Sequence, residues 1–398
     1  MTDFVELTKS VLSLAVFRNV LKNHTVENLL KLLNDLTDNT IQQKYLINEY
    51  SELVGELYKH TDNLTRYLLD ATLEDENIYM LKKGANDKIS PLLEESLSRE
   101  LLILERLAKI NCDDVINAIG YSSLPKWETE DIDFTKIYTD RIKEIDKYGY
   151  GIYAKNHIFV IKDGKIQPVS FPDNTRLSQF SGYEAQRQTV IDNTLALLNG
   201  KPANNVLLYG DCGTGKSSTV KAIANEYKGL GLRLIELKKK QLHEIPLIVE
   251  TVSRNPLKFI LFIDDLSFTE NDDDFATLKA ILEGSVSSAA DNLVIYATSN
   301  RRHLVKETFS NREGDDIHFN DTMQELLSLS DRFGIRVVFE KPDKKLYLSV
   351  VEDLARQYTL DMPIDEIKKK AEVFALERGG RSPRIARQFI EMLKGLEE

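Results

Sequence analysis

Cysteine is scarce in this chain: its 398 residues include two, Cys112 and Cys212, far apart in sequence. So few and so distant, they argue for reduced thiols and a cytoplasmic location. The six histidines are scattered, with no His-Glu-x-x-His pattern and no Cys/His cluster, which argues against a protein-bound structural metal. Long apolar runs are also missing. Even Val11 to Val20 is broken by Ser13 and Arg18, so no segment reads as a bilayer span and no membrane partner is expected. The opening Met1-Thr2-Asp3-Phe4-Val5-Glu6 lacks the basic start of a secretory leader. A basic excess is lacking too. Lys+Arg number 52 against 63 Asp+Glu, and a net charge of −11 excludes a protein that coats nucleic acid over its whole surface. Only a local basic groove stays open. No internal repeat or low-complexity tract is present.

What remains is an ordinary globular composition, 42% hydrophobic and 29% charged, long enough for two or three domains. Residues 1–147 read as helix, with apolar residues at three- and four-residue spacing in Leu29-Leu30-Leu33 and in Tyr45-Leu46-Tyr50-Leu53-Leu57. Ser90-Pro91 followed by Glu94 is an N-cap, a proline at N1 and an acidic first turn, and it opens a helix towards Ile110. This helical domain carries no chemical motif; it reads as a bundle, or as the part that grips an unidentified protein partner.

At residues 148–176 the period changes. Gly151-Ile152-Tyr153, His157 to Ile161, Asp163-Gly164 and Ile166 with Val169 predict a small β-hairpin and a connector between two domains. From Leu177 strands alternate with helices: Val206–Tyr209, Leu232–Leu237, Phe259–Ile263, Leu293–Ala297 and Arg336–Phe339. The pattern predicts an α/β core over 177–341, a parallel sheet covered on both faces. Three helical patterns over 342–398 complete the chain, the last opening with Ser382-Pro383.

The residues Gly210-Asp211-Cys212-Gly213-Thr214-Gly215-Lys216-Ser217 spell a phosphate-binding loop between a strand and a helix that begins at Ser218. Its glycines let successive N–H groups turn inward onto phosphate oxygens, and the helix adds the positive end of its dipole. Lys216 reaches the β- and γ-phosphates, and Ser217 offers its hydroxyl to Mg2+. One strand-helix-strand later, Phe259-Ile260-Leu261-Phe262-Ile263-Asp264-Asp265 is a buried strand ending in carboxylates. There Asp264 is placed to hold Mg2+ through water and Asp265 to orient and deprotonate an attacking water. A third strand ends in Thr298-Ser299-Asn300, which points to a polar side chain at the γ-phosphate.

Together with Ser330-Asp331-Arg332-Phe333-Gly334 and Gly380-Arg381-Ser382-Pro383-Arg384, these elements follow one another as they do in the AAA+ ATPases. In that order they resemble Walker A, Walker B, sensor 1, arginine finger and sensor 2, over about residues 177–398. The resemblance implies ATP and Mg2+ as cofactors and ATP hydrolysis as the reaction. Asn300 would then help position the water, and Arg384, with Arg381 as its competitor, would reach the γ-phosphate from a helical lid. Arg332 would act in trans, on ATP held by a neighbouring subunit of a homo-oligomer. Ser181-Gly182-Tyr183 looks like the segment that packs on adenine. The usual Walker B end is Asp-Glu; Asp264-Asp265 sets the carboxylate one methylene further back, which implies slow hydrolysis, a trait of the nucleotide switches among replication initiators and helicase loaders.

More specifically, the layout is similar to the bacterial family called domain of unknown function 815, through Asn204 to Gly210, Leu329 to Gly334 and Arg384 to Phe389. Three readings follow. The first is an ATPase that remodels or loads a partner. The second is a nucleotide-regulated binding module with negligible turnover. The third is a DNA-associated loader, suggested by Lys238-Lys239-Lys240 after the second strand of the core, although a solvated charge run explains those lysines as well. That stretch lacks the aromatic-hydrophobic-glycine loop of protein unfoldases. Cys212 within the loop reads as a small filler.

Overall fold

The computed structural model describes residues 4–38, 40–266, 273–282, 290–300 and 331–397. Leu329 and Ser330, which open the phrase around Arg332, lie outside the described residues. The chain divides into two compact units, Met1–Lys155 and Asn156–Glu398.

The first unit is helical among its described residues. Short polar side chains start the helices, as free N–H groups at a helix start require. Asn23 accepts from Thr25 N and Val26 N, Asn63 from Arg66 N, Asn77 from Met80 N and Asp133 from Lys136 N. Ser90 caps the helix Pro91–Ala108 as its sequence predicts, accepting from Leu93 N. The apolar faces meet in one core. There Tyr50 stacks on Trp127 with centroids 5.2 Å apart, and the indole donates to Ile110 O at 2.9 Å. Cys112 belongs to this core, whereas Cys212 is exposed; both are free thiols.

The second unit is built on seven strands: β1 (Ile158–Lys162), β2 (Lys165–Pro168), β3 (Val206–Gly210), β4 (Leu232–Leu237), β5 (Lys258–Ile263), β6 (Leu293–Ser299) and β7 (Ile335–Phe339). Their spatial order is β2-β1-β4-β5-β6-β3-β7. Every neighbouring pair is parallel except β1 with β2. Strand β5 is buried from Phe259 to Ile263, the continuous apolar run expected of a strand covered on both faces. Pro342 follows β7. Three helices, Lys344–Gln357, Ile364–Glu377 and Pro383–Glu397, then pack around Tyr347, Val351, Leu354, Ile367, Phe389 and Ile390.

Two features differ from the sequence expectation. Ile152 and Tyr153 lie in a short helix, Ile152–Lys155, at the end of the first unit. The hairpin is no free-standing connector: β1 pairs with β4 and extends the sheet, because Ile158, Phe159 and Ile161 need cover that a two-stranded ribbon cannot supply. Its turn is as expected. Asp163 (φ 51°) and Gly164 (φ 68°) both take the left-handed conformation of a two-residue hairpin turn.

Candidate nucleotide site

Strand order sets the site. Because β6 lies between β3 and β5, the C-terminal ends of these three strands open side by side, where ligands sit on parallel sheets. The phosphate-binding loop leaves β3 there. Gly210 (φ 130°) lies so close to β7 that a Cβ would stand 2.2 Å from Phe339 O, so no other residue fits. Asp211 donates its N–H to Phe339 O and accepts from Lys341 N at 2.7 Å, which ties the loop to the end of β7. Gly213 and Gly215 have φ of 75° and 96°, and the helix Lys216–Tyr227 begins directly after them.

Lys216 is buried, and its ammonium donates to Gly210 O at 3.0 Å and Asp211 O at 2.7 Å. Burial holds its pKa below the ordinary lysine value, while the thiol and carboxylates around it, Cys212 first, pull the other way. Opposite, Asp264 Oδ1 accepts from Ser217 Oγ and from Thr298 Oγ1, each at 2.6 Å. Thr298 Oγ1 also accepts from Asp265 N at 2.9 Å, and Asn300 Nδ2 donates to Asp265 Oδ1 at 2.8 Å. One hydrogen-bonded chain thus runs from the loop serine through both aspartates to the asparagine. Asp265 itself is left-handed, with φ of 53°.

These groups line an open cleft of about 420 Å³. Of the residues expected at the site, Cys212, Gly213, Thr214, Gly215, Lys216, Ser217 and Ser218 line it, as do Asp264, Asp265, Asn300 and Arg384. Arg384 opens the last lid helix and donates its N–H to Gly213 O at 3.2 Å. Its competitor Arg381 is instead held by Glu372 at 2.8 Å.

Gly210 and Asp211 stand behind the loop, outside the lining. Gly182 and Tyr183 are also outside it. Tyr183 is buried, stacked on Phe339 at 5.3 Å, and donates to Glu340 O, so the ring expected at adenine belongs to the core. The neighbouring Phe180 and Ser181 face the cleft in its place, with Arg187 over the Phe180 ring at 5.6 Å. Arg332 does not line the cleft. Its neighbour Asp331 pairs with Arg336 at 2.8 Å.

Sequence reasoning missed Phe180, Arg187 and Arg387 as cleft residues. Arg387 had a signal: three positions after Arg384 in one helix, it shares that residue's face. Thr298 was visible as part of its strand end, but its bonds to Asp264 and Asp265 depend on β6 lying beside β5.

Strand order, loop and carboxylate pair define a P-loop module of the AAA+ fold. The family model described as a protein of unknown function (DUF815) matches residues 154–397, and the chain belongs to that family. Among curated proteins, the 26S proteasome regulatory subunit 6B homolog of Encephalitozoon cuniculi (strain GB-M1) is 28% identical over 179 residues, 41% of this chain. The chain spans 42% of that relative's length. Similar solved structures include the FIGL-1 AAA domain in complex with ADP, 17% identical, covering 54% of this chain and 71% of that one with a TM-score of 0.38. The Thermotoga maritima RuvB Holliday junction branch migration motor is 18% identical, covering 56% and 66%, again with a TM-score of 0.38.

Proposed function

We propose that the chain binds Mg·ATP in this cleft and hydrolyses it slowly to remodel or load a partner. The observation that carries the reading is the hydrogen-bonded chain Ser217–Asp264–Thr298–Asp265–Asn300 facing the lysine loop. Magnesium fits these residues. Ser217 Oγ and Asp264 Oδ1 are hard oxygens that already converge at 2.6 Å, and two protein oxygens plus substrate phosphates and water are what this ion takes. When bound, it neutralises charge on the β- and γ-phosphates. Lys216 and Arg384 bind the phosphates from opposite walls. Asp265 accepts the proton of the attacking water, and Asn300 holds that carboxylate in place.

Loss of nucleotide affinity in Lys216→Ala tests the site. Unchanged affinity would remove it. For turnover the variant is Asp265→Asn, with phosphate release expected to fall about 10²–10⁴-fold while ATP binding survives. Unaltered release would end the role of Asp265 as base.

A second reading, a nucleotide-regulated binding module with negligible turnover, is favoured by one observation: the short Asp265 side chain is tied to Asn300. Phosphate release measured across protein concentration separates the two. A steep rise supports a homo-oligomer in which Arg332 acts in trans, and none under any condition supports the module. We place the protein in the cytoplasm on its two unpaired thiols; among the described residues no helix is long and apolar enough to cross a membrane. The helical first unit is assigned the partner, and capture on the ATP-held Asp265→Asn variant would identify it.

A further inference from the structure

Far along the sheet from the nucleotide loop, the hairpin and β4 bring together lysines that are separate in sequence. Lys162 ends β1 and pairs across the turn with Lys165 of β2. The parallel register of β1 with β4 runs to Val160–Glu236, and Lys162 and Lys238 each stand two residues beyond that last pair. Lys238 continues β4 in extended backbone and precedes the short helix Lys239–Glu244. Gln241 pins that helix in place. Its Nε2 donates to Ile161 O at 3.1 Å and its Oε1 accepts from Lys238 N at 3.1 Å. Lys162, Lys165, Lys238 and Lys240 are all exposed, and among the described residues no ion pair engages them. Lys239, between Lys238 and Lys240, has contacts of its own.

The nearby acids do not cancel this charge. Glu236 is paired with Lys221 at 3.0 Å, Glu244 lies beside Gln241, and Asp163 alone shares the turn. The helix Asp273–Ala280 packs by the Lys239–Glu244 helix. In a chain with a net charge of −11, four exposed lysines at one sheet edge form a local positive field.

We propose that these lysines bind the phosphate backbone of a nucleic acid. The apolar residues between them, Ile161, Leu237 and Leu242, are buried. A protein partner would therefore find no apolar anchor there, and stable protein interfaces have one. Among the described residues no aromatic ring stands among the lysines to stack a base, so the contact is with phosphate and reads no sequence. The row Lys165–Lys162–Lys238 crosses neighbouring strands and spans roughly 10 Å. That covers several phosphates of one strand, which succeed each other about every 3.4 Å along a duplex.

The test is fluorescence anisotropy of the full chain with a labelled oligothymidylate and a labelled mixed-sequence duplex, across salt concentration. Binding should weaken linearly in log–log form as salt rises. The triple variant Lys162→Gln/Lys165→Gln/Lys238→Gln should bind more weakly with the slope reduced by about 2 on single strands and about 3 on duplex. Its nucleotide affinity should be unchanged, since none of these residues lines the cleft. No binding of either probe at low salt, an unchanged slope in the variant, or displacement of the probes by polyglutamate as readily as by unlabelled DNA would each overturn the proposal.

Discussion

At Asp265 the backbone is left-handed, a conformation that Asp and Asn accept more readily than longer side chains. Asparagine therefore replaces it without backbone strain, and Asp265→Asn is expected to keep stability within about 0.5 kcal/mol while phosphate release collapses. Urea unfolding beside the release assay checks both halves; a destabilised variant would make the loss of turnover uninformative about proton transfer. Asp75, in the first unit, is a residue where pH enters stability. Burial pushes its carboxyl up to about 6 against the effect of Asn77 and Asn19, and its Oδ2 has no hydrogen-bond partner. With a raised pKa the folded chain holds the proton more tightly than the unfolded chain does. Stability therefore falls as pH rises from about 4 to about 6, and the full penalty, about 2–3 kcal/mol, is present above that window. Asp75→Asn never ionises. It is expected to gain about 1–3 kcal/mol at pH 7 and almost nothing at pH 4, read by denaturant unfolding at the two values. Equal gains at both would show that the carboxylate charge is not the cause.

Elements show how much was legible. Phosphate loop, carboxylate pair and Ser382-Pro383 start each rest on neighbouring residues, so spacing alone exposed them, and the structure brings Lys216, Asp264, Asp265, Asn300 and Arg384 to one cleft. The parallel strands were equally plain because burial on both faces makes them continuous apolar runs. What stayed hidden depends on pairing across the sheet. Apolar alternation in β1 could not say that its partner is β4, and the Tyr183 ring points into the core because its OH finds Glu340 O beyond β7. The same dependence on distant pairing governs helix stability in the first unit. Asn63 caps the helix Leu64–Glu74 through Arg66 N and also donates to Glu130 Oε1 at 2.9 Å, while itself 3% exposed. Asn63→Ala removes a cap and a buried tether together, and a loss of about 2 kcal/mol is expected in denaturant unfolding. A loss under about 0.5 kcal/mol would mean that water replaces both bonds.

For the whole molecule, the position of Arg332 decides whether one chain suffices. The strands β3 and β7 are parallel, with Val206 opposite Ile335 and Gly210 opposite Phe339. The loop leaves the C-terminal end of β3, whereas Arg332 precedes the N-terminal end of β7. The five residues of β7, about 17 Å of extended chain, therefore separate Arg332 from the level of the loop. An arginine does not cover that distance back along its own sheet, so the proposed contact of Arg332 with a γ-phosphate is one made on a neighbouring chain. Arg332→Ala alone should then bind ATP normally and release phosphate about 10³-fold more slowly or worse, as loss of an arginine finger does. Lys216→Ala alone should fail through lost nucleotide. Mixed together, the two defective proteins should recover turnover, because a site with an intact Lys216 from one chain can meet an intact Arg332 from the other. Recovery should peak near equal proportions and vanish on dilution. Turnover in the mixture no greater than the sum of the two alone would show that Arg332 serves its own chain, and the trans arrangement would have to be abandoned.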